Sequence, residues 1–248
     1  LAKSNLKAKN ITDPIVPAVK KPTMKLNFIK TFLHKTIAKQ LRKPTGMLAG
    51  KAGNEMNKTN NFLYDFTIDT MQLEAHQSIL EIGFGNGKFF DKIFSTANDL
   101  KISGLELSPE MIKEAIRNNP LTSTTGKLSL CAGSSDKIPF PDHSFDKVFC
   151  INVIYFWEQP AMHLKEIYRV LKPGGRFYTT IRTKESMVLM PFTKYGFNNY
   201  TQEEWIAKLE TCQLPLLLTE RAQNEPDVEF GKQFFKAASV CMVAEKKG

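Results

Sequence analysis

The sequence predicts an α/β protein built on a doubly wound, mostly parallel sheet, and three observations carry that prediction. A buried-strand pattern from Ile79 to Ile82 runs straight into glycines at alternate positions, Gly83, Gly85 and Gly87. A helix pattern follows at once, with Phe89, Phe90, Ile93, Phe94 and Ala97 at helical spacing. Beyond it, short apolar runs alternate with amphipathic helix patterns, which is how a chain lays helices on both faces of a right-handed parallel sheet.

Length and composition fit that class. The chain has 248 residues, 42% of them hydrophobic, enough for one sizeable α/β domain with an appendage. Four cysteines, Cys131, Cys150, Cys212 and Cys241, have no metal-ligand spacing and read as core thiols in a reducing compartment. No apolar run approaches the roughly 18 residues of a membrane span, and no signal-peptide core precedes the first helix, so the expected location is cytoplasmic. The net charge of +9 is confined to one end: residues 1–60 hold thirteen Lys/Arg against two Asp/Glu, which leaves residues 61–248 at −2. A body that is not basic argues against a nucleic-acid partner.

The elements follow in order. Residues 1–23, Lys-rich with Pro14, Pro17 and Pro22, have the composition of a flexible leader. Residues 24–60 form a basic helical arm: Leu26, Ile29, Leu33, Ile37 and Leu41 recur every three or four positions, with Phe28 and Phe32 widening the stripe. Pro44-Thr45-Gly46 ends that helix, and Gly50 and Gly53 predict a loose connection. The main domain is expected over 61–248, opening with a helix through Phe62, Leu63, Phe66 and Met71. Lys101–Leu107 is the second strand, and Ser108-Pro109 starts a helix with Ser108 as N-cap. Leu128–Cys131 is the third strand, and Phe145–Phe156 contains the fourth. A helix over Pro160–Leu171 stops at Lys172-Pro173-Gly174-Gly175, and Arg176–Ile181 is the fifth strand. Thr201-Gln202-Glu203-Glu204 reads as a capping box. Leu216–Glu220 and Ala237–Ala244 are terminal strands, with a turn-rich stretch, Gln223–Gly231, between them.

The glycine run implies chemistry. Glycines let the backbone take positive φ and let a ligand lie against it, and the N–H groups of a helix start favour a polar or anionic group, so a nucleoside cofactor suits the turn. The dinucleotide fingerprint G-x-G-x-x-G does not fit, because Lys88 stands where its third glycine would be. Glu81, Gly83, Gly85 and Gly87 instead match E/D-x-G-x-G-x-G, and the run resembles motif I of the class I S-adenosylmethionine-dependent methyltransferases. Gly133-Ser134-Ser135-Asp136-Lys137-Ile138-Pro139-Phe140-Pro141-Asp142 is similar to the G-D-A-x-x-L-P-F-x-D stretch of the small-molecule members, and Leu171–Arg176 matches a further segment. The likeness runs from about Asn54 to the C-terminus and points to the group that includes the ubiquinone/menaquinone methyltransferases.

That resemblance implies a Rossmann-like methyltransferase fold, a doubly wound seven-stranded sheet of order 3-2-1-4-5-7-6 with strand seven antiparallel, here with an N-terminal helical arm. It implies S-adenosyl-L-methionine as cofactor and no metal. The cofactor residues it implies are Glu81, Gly83, Phe84, Gly85, Gly87, Glu106, Leu107, Ser134, Ser135 and Asn152. Glu106 would accept both ribose hydroxyls, and Leu107 with Met111 would flank the adenine. Ser134 replaces the family's adenine-binding aspartate, so that contact falls to Ser134, Ser135 or Asp136. Val153-Ile154 stands where base-modifying members carry a Pro-Pro pair, which argues again for a small-molecule acceptor.

The acceptor side is read from apolar residues: Tyr155, Trp157, Met190, Phe192 and Tyr195 predict an apolar or aromatic acceptor methylated on O, N or C. Tyr155, His143 and His163 are the base candidates, although a lone histidine in a polar loop (His143) or on a helix (His163) is more often a surface residue. A protein or RNA acceptor, or a non-catalytic relative, are the alternative readings. The arm, near the segment with Asn57, Asn60 and Tyr64, is expected to cover the cleft, with peripheral membrane contact as its second role.

Overall fold

The computed structural model describes residues 24–120, 125–230 and 233–248. The expected leader, residues 1–23, lies outside the described residues. The helices are α1 (Met24–Arg42), α2 (Ala49–Met71), α3 (Phe90–Phe94), α4 (Pro109–Asn118), α5 (Pro160–Val170), α6 (Lys184–Leu189) and α7 (Gln202–Thr211). The strands are β1 (Ser78–Ile82), β2 (Lys101–Glu106), β3 (Leu128–Ala132), β4 (Phe145–Ile151), β5 (Leu171–Arg182), β6 (Leu216–Arg221), β7 (Val228–Phe230), β8 (Gln233–Phe235) and β9 (Ser239–Glu245).

Seven strands form one sheet in the order β3-β2-β1-β4-β5-β9-β6. The first five run parallel, and β9 lies antiparallel between β5 and β6. This is the expected order, with β9 as the antiparallel strand. Side chains alternate across the strands, so each face has its own core. Leu80, Val148 and Phe177 pack with Leu164 and Ile167 of α5 and Trp205 of α7. Ile79, Phe149 and Tyr178 pack with Leu63 and Ile68 of α2 and with Phe90 of α3. Ser108 caps α4, accepting from the Met111 N–H at 3.2 Å, and Thr201 with Glu204 forms the capping box of α7.

Three expectations are corrected. Gly50 and Gly53 lie inside α2, not in a loose connection, and the residue 60/61 boundary falls mid-helix. A Cβ at Gly53 would sit 3.1 Å from Met111 Sδ, and one at Gly50 2.9 Å from Glu114 Oε1, so these glycines let α2 approach α4. Asn57, Asn60 and Tyr64 are therefore helical residues. The expected turn-rich stretch Gln223–Gly231 contains β7, which pairs antiparallel with β8 just beyond it; strands of three residues fall below any readable period. Helix α5 ends at Val170 as expected, but β5 begins at Leu171 and not at Arg176, with a register shift opposite Phe145 to Lys147. Among the described residues no helix is long and apolar enough to cross a membrane.

Candidate functional site

The connections from β1 diverge, to β2 on one side and β4 on the other, and such a switch point leaves a crevice at the carboxyl ends of the strands. Here it is a cleft of about 970 Å³. Its floor is the turn after β1, its sides the ends of β2, β3, β4 and β5, and its cover α1 and α2.

The turn after β1 uses its glycines for different ends. Gly83 (φ +78°) runs under Val153, where a Cβ would lie 2.5 Å from Cγ2. Gly85 (φ +59°) faces open space, where a Cβ would meet no protein atom within 4 Å. Gly87 (φ +67°) does not line the cleft: its Cβ would lie 2.7 Å from Ala115 Cβ, so this glycine is a packing residue against α4. Phe84 is buried under the same turn and borders the cleft.

Glu106 ends β2 with its side chain in the cleft. Its Oε2 accepts from the Gly85 N–H at 3.0 Å and its Oε1 from the Ser108 N–H at 2.9 Å. Burial pushes this carboxyl above the ordinary range, against the pull of those N–H groups. The Leu107 N–H is a third backbone donor to this carboxylate, so of its roughly four lone-pair directions about one is left for a ligand hydroxyl.

Glu81 is corrected. Strand alternation turns it to the α2 face, where it accepts from the Tyr64 hydroxyl, and it does not line the cleft. Burial raises its pKa to about 8. Tyr64 itself borders the cleft, its ring stacked on Phe89 at 3.8 Å. Met111, expected near the adenine, is buried beside Gly53, whereas Leu107 is exposed at the cleft wall.

Ser134, Ser135 and Asn152 line the cleft. The loop carrying the serines is held by Arg169, which pairs with Glu166 and Asp142 and donates to the carbonyls of Ile138 and Phe140. Asn152 is in the left-handed region (φ +57°), as asparagine tolerates. It donates to Asn60 Oδ1 at 3.0 Å, which ties the end of β4 to α2.

The base candidates separate. His143 is corrected: it precedes β4, at the opposite end of the sheet, where Nδ1 lies 3.1 Å from the Leu171 carbonyl oxygen. The Tyr155 hydroxyl borders the cleft but lies 2.9 Å from the Arg182 carbonyl oxygen, and burial raises its pKa. His163 is buried in the cleft wall and not on the surface, with Nδ1 2.8 Å from Ser135 Oγ and its ring stacked on Trp157 at 4.6 Å. Burial lowers its pKa, against the Asp136 carboxylate, so the ring is neutral near pH 7.

On the apolar side, Trp157, Met190 and Phe192 line the cleft. Tyr195 does not; its ring lies under Lys35 Nζ of α1, 5.7 Å from the centroid, and Phe197, packed 4.7 Å from Phe156, takes the place expected for it.

Several lining residues have no sequence signature. Asn57 donates to Asn86 Oδ1 at 3.0 Å, and Arg182 Nη2 to the Thr59 carbonyl at 2.6 Å. Arg182 Nε lies 3.5 Å from Glu225 Oε1, both side chains buried. A buried arginine on β5 and a glutamate beyond β6 meet only in the fold. The conspicuous polarity of Arg182 at the end of a buried strand is the one hint the sequence offers.

A methyltransferase-domain family profile matches residues 80–179. The uncharacterized methyltransferase YdaC of Bacillus subtilis (strain 168) is 33% identical over 135 residues, 54% of this chain and 72% of that protein. The ubiquinone/menaquinone biosynthesis C-methyltransferase UbiE of Geotalea daltonii is 30% identical over 112 residues, 45% of this chain and 48% of that protein. The chain thus spans about half the length of the second relative. A protein solved as the "putative methyltransferase" in complex with the Haloferax volcanii Trm112 methyltransferase activator superposes with a TM-score of 0.71 at 21% identity, over 81% of this chain and 96% of that one.

Proposed function

On the premise that the chain belongs to the class I S-adenosylmethionine-dependent methyltransferases, we propose that its cleft binds S-adenosyl-L-methionine and methylates an apolar or aromatic small molecule. The observation that carries the reading is Glu106, a buried carboxylate that lines the cleft with acceptor capacity left for a ligand, set beside the open face of Gly85. Those two residues suit a ribose and the chain that follows it. Leu107 and Ser134 would border the adenine, and Asn152 the amino-acid end.

The cofactor supplies an activated methyl group on a sulfonium sulfur. The protein's own work is then to hold an acceptor atom in line and keep water out, which proximity and orientation supply. Phe156, Trp157, Met187, Met190, Phe192 and Phe197 offer an apolar wall for that purpose. Leu33, Ile37 and Leu41 of α1 close the other side, so the arm works as a cover. Where the acceptor must lose a proton, His163 is the base we favour, because its ring is neutral near pH 7 and borders the cleft.

The test is incubation of purified protein with methyl-labelled cofactor and cell extract, followed by fractionation. Label in an organic-extractable small molecule supports the reading. Label confined to protein or RNA, or no transfer, contradicts it.

A further inference from the structure

One side of α1 is apolar and faces solvent. Phe28 is 74% exposed, Phe32 67%, and Ile29 and Leu33 each 53%. At helical spacing these four share one side of the helix, while Ala38, on another side, is buried. Met47 and Leu48, in the turn between α1 and α2, add further exposed apolar surface. Leu33 and Leu48 both line the cleft, so the exposed surface is continuous with its rim. Soluble proteins rarely leave such surface uncovered unless something binds it.

Charge selects the occupant. Between Asp13 and Glu55 the chain has no acidic residue. Lys30, Lys35 and Lys39 of α1 are exposed beside the apolar residues, and Lys43 and Lys51 beyond the helix are exposed as well. Apolar side chains ringed by one sign of charge suit a surface that offers hydrocarbon below a layer of anions. We infer that α1 and the Met47–Leu48 turn dock on an anionic lipid bilayer, with Phe28 and Phe32 entering the headgroup region. The cleft mouth then opens toward the bilayer, and an apolar acceptor can enter without crossing water. That route rests on the proposed acceptor class; the docking does not.

The test is co-sedimentation of the full chain with phosphatidylglycerol vesicles and, separately, phosphatidylcholine vesicles, at low and high salt. The wild type pellets with phosphatidylglycerol, less so at high salt, and poorly with phosphatidylcholine. The double variant Phe28→Asp/Phe32→Asp, altered only at exposed positions, loses at least about tenfold in partitioning. Its S-adenosylmethionine affinity and circular dichroism match the wild type. Wild type left in the supernatant with phosphatidylglycerol overturns the proposal, as does a double variant that pellets equally well. A dimer that the same substitutions dissociate, without vesicle binding, assigns the surface to a second copy and also overturns it. Vesicle binding by a chain that fails to bind S-adenosylmethionine would instead count against the proposed function alone.

Discussion

The Glu106 carboxylate accepts the Gly85 N–H at 3.0 Å, which ties the end of β2 to the turn after β1 and sets the width of the cleft floor. Two neighbouring strands thereby present a backbone turn and a carboxylate to one ligand.

The glycines of that turn are predicted to separate in their effects. Gly85→Ala strains a left-handed residue by about 1 to 2 kcal/mol but meets no protein atom, so the variant folds and loses cofactor affinity. Gly87→Ala adds a clash with Ala115 and costs stability by about 2 to 5 kcal/mol. Thermal denaturation beside cofactor titration checks this; equal stability losses in the two variants would refute it.

The acceptor wall is tested at Phe156 and Phe197, which are only partly buried and line the cleft. Either alanine variant is expected to lower turnover about tenfold or more, through lost apolar contact, while cofactor affinity is unchanged. Tyr195→Ala, outside the cleft beneath Lys35, changes neither. Steady-state kinetics on the identified acceptor decides, and a Tyr195 effect matching that of Phe197 would argue against the wall.

Glu81 gives a pH prediction. Its folded pKa is about 8 against an ordinary value of 4.5, raised chiefly by burial. A raised pKa means the folded state holds the proton more tightly, so this group's stabilising contribution is complete below about pH 4.5 and is lost as pH rises through 8. Within that window the slope is about 1.4 kcal/mol per pH unit. Glu81→Gln, which keeps an acceptor for the Tyr64 hydroxyl, removes that part of the slope. Urea denaturation of both proteins between pH 5 and pH 8, in steps of about one unit, measures it; parallel stability curves would mean that Glu81 ionises normally.

Much of this architecture is legible in the amino-acid sequence. Motif I, the Ser108 cap and the Thr201–Glu204 box are local patterns, and a local pattern survives in one dimension. Sheet order comes through the family likeness. What escapes depends on tertiary approach. Gly53 reads as a helix breaker until Met111 is seen packed against it, and Glu81 reads as a ligand until strand alternation turns it to Tyr64. The Arg182–Glu225 pair joins residues 43 positions apart, with no shared motif. His163 and His143 look alike in sequence, yet they occupy opposite ends of the sheet because one follows β4 and the other precedes it.

Glu106 and the Gly85 turn are proposed to hold S-adenosylmethionine. Calorimetric titration of the cofactor and its demethylated product into wild type and Glu106→Ala tests this most directly. Hydrogen bonds to a charged group contribute about 1.5 to 3 kcal/mol, so the variant should bind about one to two decades more weakly with its fold intact. Unchanged affinity in the folded variant, or no binding to the wild type, would contradict the account.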